Sequence, residues 1–313
     1  MTLNFFLRTL YGSLGQGLLY APVAIGVFMS LRIMKKPDLT VEGTFAFGAV
    51  IAMTLMYHNV HFMAAIVVAI LGGAVAGLAT GLIHTKLKVD GIISGLLVTM
   101  ALFSINLLIM GRSTIAAPLD TFIFAPLNYF LANSFGMANF DALLWSYIII
   151  GLLVLIVILA ALALLYKTKF GLSMRSTGDN ERMACSNGVN TDSRKISSLV
   201  ISNAITGLSA ALVTQQQAGA EVGIGTGVLI IGLASLVMGE IITPKNRSML
   251  TQFIFISLGS IIYFICITMV VASGLLHSNW QRLLTALLAL LALCMPKLRQ
   301  LLFNRKPRIE VVK

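Results

Sequence analysis

The chain contains nine apolar stretches separated by short polar segments, and this pattern restricts it to one class of fold. Most stretches approach the roughly 20 residues that an α-helix needs to cross the hydrocarbon of a bilayer. They are residues 10–31, 43–57, 62–84, 91–111, 143–166, 196–215, 224–240, 250–272 and 281–296. Backbone groups in hydrocarbon find no water, so they must pair with one another within helices. We therefore predict an all-α, polytopic membrane protein with about nine transmembrane helices, forming one domain over residues 1–313.

Two of these stretches, 43–57 and 224–240, are shorter than a full span and contain glycine. Short or broken helices are tolerated at membrane depth only where their backbone is buried in protein or lines a cavity. We expect one such helix in each half of the protein. The repeat of small residues at Gly73, Gly77 and Gly81 predicts close packing between helices.

The chain carries a net charge of +11, although only 11% of its residues are charged. Soluble domains average about 25% charged residues. The basic residues cluster at the ends of apolar stretches, where they determine topology, so we exclude nucleic acid as a partner and expect a lipid bilayer instead. With residues 167–195 in the cytoplasm, 19 of the 22 Lys and Arg residues lie on the cytoplasmic side. This bias predicts an N-terminus outside and a basic cytoplasmic tail at residues 297–313.

Residues 167–195 form the longest polar segment of the chain. Within it, the sequence between Gly178 and Gly188 has the length of two helical turns. Asp179 and Asn180 are residue types that cap the start of a helix, and glycine is favoured just after a helix ends. The segment predicts a short helix that docks a soluble partner; a plain solvated loop is the alternative.

A second long connection, residues 112–142, lies on the predicted outer side and is rich in aromatic residues. Its middle is apolar but too short to span a bilayer. We expect it to lie along the outer surface or to re-enter the membrane partway. Contact with an extracellular partner and a purely structural lid are both compatible with this sequence.

Acidic residues are costly near hydrocarbon, so those beside apolar stretches are candidates for function. Asp38 and Glu42 lie between the first and second stretches. They follow Pro37, which stops a helix at or before Lys36. The two acids either face a solute pathway or cap the next helix and pair with Lys35 or Lys36. We prefer the capping interpretation.

Further polar groups lie within or beside the stretches. Asn106 and Asn203 fall in mid-span, where an amide can hydrogen-bond across helices. The glutamines at 215–217 and Glu221 precede the glycine-rich seventh stretch, and we place them at the outer mouth of a pathway. Glu240 lies at the inner end of that stretch. The pathway candidates are Asp38, Glu42, Asn106, Gln215, Glu221, Gly225 and Glu240.

The sequence shows no motif for catalysis, for metal binding or for nucleotide binding. The four histidines have no metal-binding spacing, and no serine stands in a nucleophile motif. The glycines at 223–227 lack the lysine of a phosphate-binding loop. Cys185, Cys266 and Cys294 have neither paired nor metal-ligand spacing. We therefore predict no catalytic residue, no metal and no cofactor in this chain.

The polar segment resembles the cytoplasmic loop of the permeases of binding-protein-dependent ABC importers, in the branched-chain amino acid and ribose permease family. That loop has a glycine, a basic stretch, and then a pattern of glycine, asparagine, two alanines and glycine. The matching positions here are Gly171, Arg175, Gly178, Asn180, Ala184, Cys185 and Gly188, with Cys185 in place of the second alanine. Residues 38–43 are similar to the family's D-L-S-V-G element, and residues 223–240 resemble its late G-x-G…GE element.

The resemblance implies that two permease chains, which we expect to be identical, form a solute pathway in a bacterial plasma membrane. It implies two ATPase subunits docked on residues 167–195 and a solute-binding protein outside. ATP would be bound by the ATPase partner alone. The implied coupling residues are Gly171, Arg175, Gly178, Asn180, Glu181, Ala184, Cys185 and Gly188. The small size of Ala184 and Cys185 suggests close approach to that partner.

The solute is constrained only by resemblance. Glu42 makes the 38–43 element look like the form found in amino-acid-type members, so we expect an amino acid, with aromatic ones included. A sugar or a nucleoside is the alternative within the family. Outside the family, an ion-coupled secondary transporter would need its own ion site, and the sequence shows no mid-span pair of acids. A small-solute channel is the third class.

Overall fold

The structure is a computed structural model that describes residues 3–136, 138–243 and 248–272, together with residues 283, 286, 287 and 290. The predicted span at 281–296 falls almost wholly outside these residues, and the basic tail at 297–313 falls wholly outside them. Both remain predictions.

Eleven α-helices make up most of the described chain and confirm the all-α prediction. They are α1 (Leu3–Phe28), α2 (Thr40–Tyr57), α3 (Phe62–Lys86), α4 (Gly91–Met110), α5 (Phe124–Phe135), α6 (Asn139–Lys167), α7 (Lys169–Asp179), α8 (Glu181–Ser186), α9 (Thr191–Gln217), α10 (Val228–Ile242) and α11 (Met249–Ala272). A π-helical turn, Met29–Ile33, extends α1, and a 3-10 turn, Leu119–Thr121, precedes α5.

Seven of the described helices are long and apolar enough to cross a membrane, and α10 is a shorter apolar helix. These eight helices coincide in order with the first eight predicted stretches. The short helices at the second and seventh positions are confirmed, since α2 has 18 residues and α10 has 15. We call the end of the bundle that carries α7 and α8 the helical end, and the end that carries α5 the cap end.

Helix α1 lies at the centre of the bundle. The apolar part of α1 is 83% buried, whereas that of α6 is only 22% buried. Helices α6, α9, α10 and α11 all pack against α1. The peripheral helices turn apolar side chains outward, among them Val75, Leu108 and Leu164, which are 62%, 82% and 67% exposed. Such a surface is suited to contact with lipid.

The glycine repeat of α3 packs directly on α9. A Cβ atom at Gly73 would overlap the carbonyl oxygen of Asn203, and one at Gly77 would overlap that of Leu199. The packing role predicted for these glycines is confirmed. Because the two backbones touch, the position of Asn203 relative to the neighbouring helices is closely fixed.

The chain does not turn back at the surface after α1. Lys35 pairs with Asp179 at the helical end, whereas Asp38 bonds to Asn203. Asn203 lies 12 residues into α9, and 12 helical residues rise about 18 Å. The segment 34–39 therefore runs into the bundle, and α2 begins inside it.

The polar segment 167–195 holds two helices. α8 confirms the predicted short helix, whereas α7 was not predicted. Asp179 ends α7 and does not cap α8; that role belongs to Asn180, whose Oδ1 accepts a hydrogen bond from the Met183 N–H at 3.1 Å. Gly188 follows α8 with φ of +79°, the left-handed conformation expected where a glycine ends a helix.

The cap end contains the connection between α4 and α6. Helix α5 packs along α6, with the Phe124 ring edge-on to Tyr147 at a centroid distance of 4.7 Å. Two short strands, β1 (Thr114–Ile115) and β2 (Ala220–Glu221), pair antiparallel beside it. This ladder was not predicted, and it joins the α4–α5 connection to the loop that precedes α10.

Candidate functional site

A pocket opens inside the bundle where α2, α4 and the loop before α10 meet. Its volume is about 60 Å³, and its walls include Glu42, Ala46, Thr99, Phe103, Asn106 and Gly225. Three of the seven pathway candidates, Glu42, Asn106 and Gly225, thus come together here. The described residues contain no group of three or more His, Cys, Asp or Glu that could hold a metal. The polar side chains in the pocket wall provide charge and hydrogen bonding.

Gly225 brings the loop before α10 against α2. A Cβ atom at Gly225 would overlap the carbonyl oxygen of Glu42, so this close approach requires glycine. The Gly227 N–H then donates a hydrogen bond to Glu42 Oε1 at 3.1 Å. Helix α10 begins at the next residue, and the dipole at its start favours a negative charge. Two short helices therefore begin close together inside the bundle, an arrangement that transporters use at solute sites.

Asn106 is the most unusual polar residue of the pocket. Its side chain is fully buried, at 0% exposure. Within the described chain, neither its amide nitrogen nor its amide oxygen has a hydrogen-bond partner. Burying an amide without a partner costs roughly 2 kcal/mol or more. The amide is thus available to a group that this chain does not supply.

Asp38 belongs to a second polar network, which the chain completes by itself. Its carboxylate accepts a hydrogen bond from the Thr40 N–H at 2.9 Å and another from Asn203 Nδ2 at 2.8 Å. Asn203 Oδ1 accepts in turn from the Thr44 hydroxyl at 2.7 Å. Asp38 caps the first N–H of α2 as predicted, although it lies one residue before the N-cap position, whereas Glu42 does not cap this helix. Hydrogen bonding across helices by Asn203 is confirmed.

The predicted pairing of these acids with the neighbouring lysines is wrong. Lys35 Nζ lies 3.1 Å from the Asp179 carboxylate at the helical end. Neither Asp38 nor Glu42 forms an ion pair with any residue that the structure describes. The cause is the inward course of the chain after Pro37, which leaves the lysine at the end of the bundle and carries both acids into its interior.

The remaining pathway candidates lie elsewhere. Gln215 ties the cap to α9, because its amide oxygen accepts from the Ile123 N–H at 2.8 Å while its nitrogen bonds within α9. Glu221 is exposed on β2. Glu240 accepts two hydrogen bonds from the Arg32 guanidinium, at 2.6 and 2.5 Å. This bidentate pair joins the end of α10 to the end of α1.

The pocket and its surroundings include residues that sequence reasoning missed. Arg32 was counted only toward topology, although a basic residue at a helix end can also bind a neighbouring helix. The Thr99 hydroxyl donates to the Leu39 carbonyl oxygen at 3.1 Å, whereas helical threonines often bond within their own helix. Phe103 gave no signal, because phenylalanine is common in any apolar span.

The coupling candidates gather on α7 and α8 at the helical end. A Cβ atom at Gly178 would overlap the carbonyl oxygen that ends the π-helical turn, and Gly171 packs just as closely on the end of α6. Asp179 lies 3.1 Å from Lys35 and 3.9 Å from Arg175. Helix α7 is therefore fastened to two membrane-spanning helices at once.

Helix α8 has an exposed face and a buried one. Lys195 donates a hydrogen bond to Glu181, and this bond holds the pKa of the Glu181 carboxyl below its ordinary value. Met183 is 63% exposed, and Cys185 is exposed as well. Ala184 is only 3% exposed. Its small size therefore serves packing within this chain, which corrects the expectation that it lies against a partner.

The comparisons with known proteins decide the family. The sequence profile of the family described as "Branched-chain amino acid transport system / permease component" matches residues 9–293. The chain belongs to this permease family. The matched region contains the internal pocket, α7 and α8, and the eight apolar helices described above except for the first residues of α1.

The relatives of this chain include permeases that are named for different solutes. The chain is 33% identical to the tyrosine transport system permease protein of Clostridioides difficile, over 87% of this chain and 86% of that protein. It is 26% identical to the ribose import permease protein of Escherichia coli K12, over 75% and 70%. It is 25% identical to the L-arabinose ABC transporter permease protein of Azospirillum brasilense, over 72% and 64%. No solved structure matches this chain. The protein is an ABC transporter permease, a multi-pass membrane protein whose named relatives are transport permeases.

Proposed function

We propose that this ABC permease imports an amino acid across a bacterial plasma membrane, with aromatic amino acids as the first candidates. The observation that carries the proposal is the graded similarity to its relatives. Identity is 33% to the permease named for tyrosine transport, against 26% and 25% to those named for ribose and arabinose. The match to the tyrosine permease also covers more of both chains.

In this proposal the chain works as a pair of identical permeases with two ATPase subunits and an extracellular solute-binding protein. ATP is bound by the ATPase, and this chain binds no cofactor. The helical end lies in the cytoplasm and the cap end outside. The Lys and Arg bias supports this orientation. Arg8 Nε lies 2.9 Å from Asp141 at the start of α6, so the beginning of α1 lies at the cap end.

The ATPase is proposed to dock on α7 and α8. Met183 and Leu172 are 63% and 56% exposed, and apolar side chains on a polar surface are typical of a docking site. The fastening of α7 to α1 and α6 supports the transfer of force from that site. A packed helix with two anchors passes on a displacement that a mobile loop would absorb.

ATP-driven uptake by the complete importer in proteoliposomes tests the proposed function. We expect radiolabelled L-tyrosine to accumulate only when ATP, an active ATPase and the binding protein are all present. Uptake of D-ribose without uptake of any amino acid would replace the proposal with the sugar alternative. Uptake driven by an ion gradient without the ATPase would replace it with a secondary transporter.

A charged residue on the exposed face of α8 tests the docking site. We expect Met183→Asp to weaken binding of the ATPase by at least about tenfold, because it buries an unpaired charge at the interface. The matched control is Leu87→Asp, since Leu87 is 70% exposed in the short connection between α3 and α4. Equal binding by both variants, measured by pull-down from nanodiscs, would move the docking site away from α8.

A further inference from the structure

We propose that the internal pocket binds the protonated amine of the solute, with Glu42 as its counter-ion and Asn106 as a second polar contact. This inference rests on the proposed function and names the part of an amino acid that the permease itself recognises. The juxtaposition that carries it is a carboxylate without a cation and an amide without a partner in one cavity.

The charge of the pocket is unbalanced. Glu42 Oε1 accepts one backbone hydrogen bond from Gly227, and no Lys, Arg or His of the described chain forms an ion pair with the carboxylate. A carboxylate at membrane depth requires a cation or strong donors. An ammonium group supplies both, with one positive charge and three donors. A neutral sugar supplies donors only.

The residues that line the pocket are spread along α4, from Thr99 to Asn106. Gly43 packs against Thr99. Glu42, the residue before Gly43, therefore lies beside Thr99 of α4. Asn106 lies seven residues further along α4, a rise of about 10 Å. Phe103 lines the wall between these residues and is 50% exposed. The site therefore fits a solute with an amine at one end, an apolar or aromatic body, and a second polar group.

Asn106 points to a ligand and not to packing. A leucine has nearly the same size, would leave no buried amide unpaired, and would suit the apolar helix better. An amide both donates and accepts hydrogen bonds, so it can pair with a carboxylate or with a hydroxyl. Residues that lower stability in this way are typical of functional sites.

The size of the pocket indicates a transient contact. A cavity of about 60 Å³ is smaller than an amino acid, so the solute engages it with its polar groups and leaves most of its body outside. A transport pathway needs binding strong enough to admit the solute and weak enough to release it. A single ion pair with one or two hydrogen bonds meets both conditions.

Binding of L-tyrosine to the permease–ATPase complex in nanodiscs, without the binding protein, tests the site. We expect Glu42→Gln and Asn106→Leu each to lower the affinity by about tenfold or more, as expected for loss of a charged or buried hydrogen bond. Tyramine, which keeps the amine, should compete in the wild type. 3-(4-Hydroxyphenyl)propanoate, which lacks the amine, should not.

Thermal unfolding of the same variants separates a ligand site from a structural one. Asn106→Leu should raise the melting temperature while lowering tyrosine affinity, whereas a structural amide would give a lower melting temperature. Ser104→Ala, an exposed position on the same helix, should change neither. Loss of the permease dimer in either pocket variant would show that a second chain fills the pocket, and would overturn the proposal.

Uptake by the complete importer distinguishes a failure of the amine site from a failure of the proposed function. If the wild type accumulates L-tyrosine and both pocket variants do so at the same rate, the amine site is wrong and the proposed function stands. If the wild type accumulates ribose and no amino acid, the proposed function fails, and the amine site fails with it.

Discussion

Asp38 and Glu42 lie four residues apart at the start of α2, yet their carboxylates end in opposite situations. Asp38 uses both oxygens, one with the Thr40 N–H and one with Asn203. Glu42 has one backbone donor, from Gly227, and faces a pocket whose amide, Asn106, is unpaired in the described chain. A buried polar group that its own chain satisfies fixes structure. A polar group that its own chain leaves without a partner is available to a solute.

The hydrogen-bond network of Asp38 is closed, because the chain completes it by itself. Breaking this network should give the largest effect. Asp38→Ala removes two hydrogen bonds to a buried carboxylate and leaves the Asn203 amide with one fewer acceptor. We expect the free energy of unfolding to fall by about 3 kcal/mol, with loss of folded protein in detergent. Thermal unfolding of the purified chain measures this effect.

Glu42→Ala is the matched substitution in the internal pocket, which we call open because the described chain leaves the Asn106 amide without a partner and gives Glu42 only one backbone donor. Because the chain supplies only one bond there, we expect the free energy of unfolding to change by less than about 1 kcal/mol. Similar losses in the two variants would remove the distinction between the closed network and the open pocket. A larger loss for Glu42→Ala would reverse it.

The glycine that forms the pocket wall should give an effect smaller than that of Asp38→Ala but larger than that of Glu42→Ala. Gly225→Ala places a Cβ atom against the Glu42 carbonyl oxygen, so the start of α10 must shift. We expect this to cost about 2 kcal/mol and to lower tyrosine affinity. A Cβ atom at Gly223 meets no atom within 4 Å, and Gly223→Ala should leave melting temperature and affinity unchanged. If the two alanine variants behave alike, the close approach at Gly225 does not shape the pocket.

The smallest effect is expected at the helical end, where polar groups are paired but exposed to water. Lys195 lowers the pKa of Glu181, so this pair stabilises the folded state above the ordinary pKa of a glutamate and loses that contribution as pH falls through the lowered value. The Glu181 side chain is 44% exposed, and an exposed pair contributes only about 0.5 kcal/mol. Melting temperatures of wild type and Glu181→Gln should differ slightly at about pH 7 and converge as the pH falls below the lowered pKa of Glu181. A difference that persists in acid would mean that Glu181 acts by packing and not by charge.

The order and the limits of the helices could be predicted because each depends on nearby residues. The length of an apolar stretch determines whether it spans, and the cap at Asn180 and the left-handed Gly188 follow from local chemistry. Helix α7 was missed because its sequence is largely polar and has only 11 residues. The ladder of β1 and β2 was missed because two-residue strands leave no alternating pattern.

The partners of the candidate residues could be predicted only in part. Which acid bonds to Lys35 depends on where Asp179 comes to lie, 144 residues later in the chain. The burial of Ala184 likewise depends on tertiary packing and not on its size. Costly groups such as Glu42 and Asn106 could be identified from sequence, because an acid or an amide beside apolar residues is conspicuous wherever it occurs. That Glu42 and Asn106 meet in one pocket could not be predicted from the sequence.

The segment from Arg32 to Glu42 has a consequence for how the protein is made. Four charged side chains of this segment bond to Glu240, Asp179, Asn203 and Gly227, which follow 144 to 208 residues later. The first two helices therefore enter the membrane while both acids still lack their partners. Synthesis must pass residue 240 before the start of α2 is fixed. A nascent chain that stalls earlier holds two acids beside hydrocarbon without their partners, where an unpaired charge is costly.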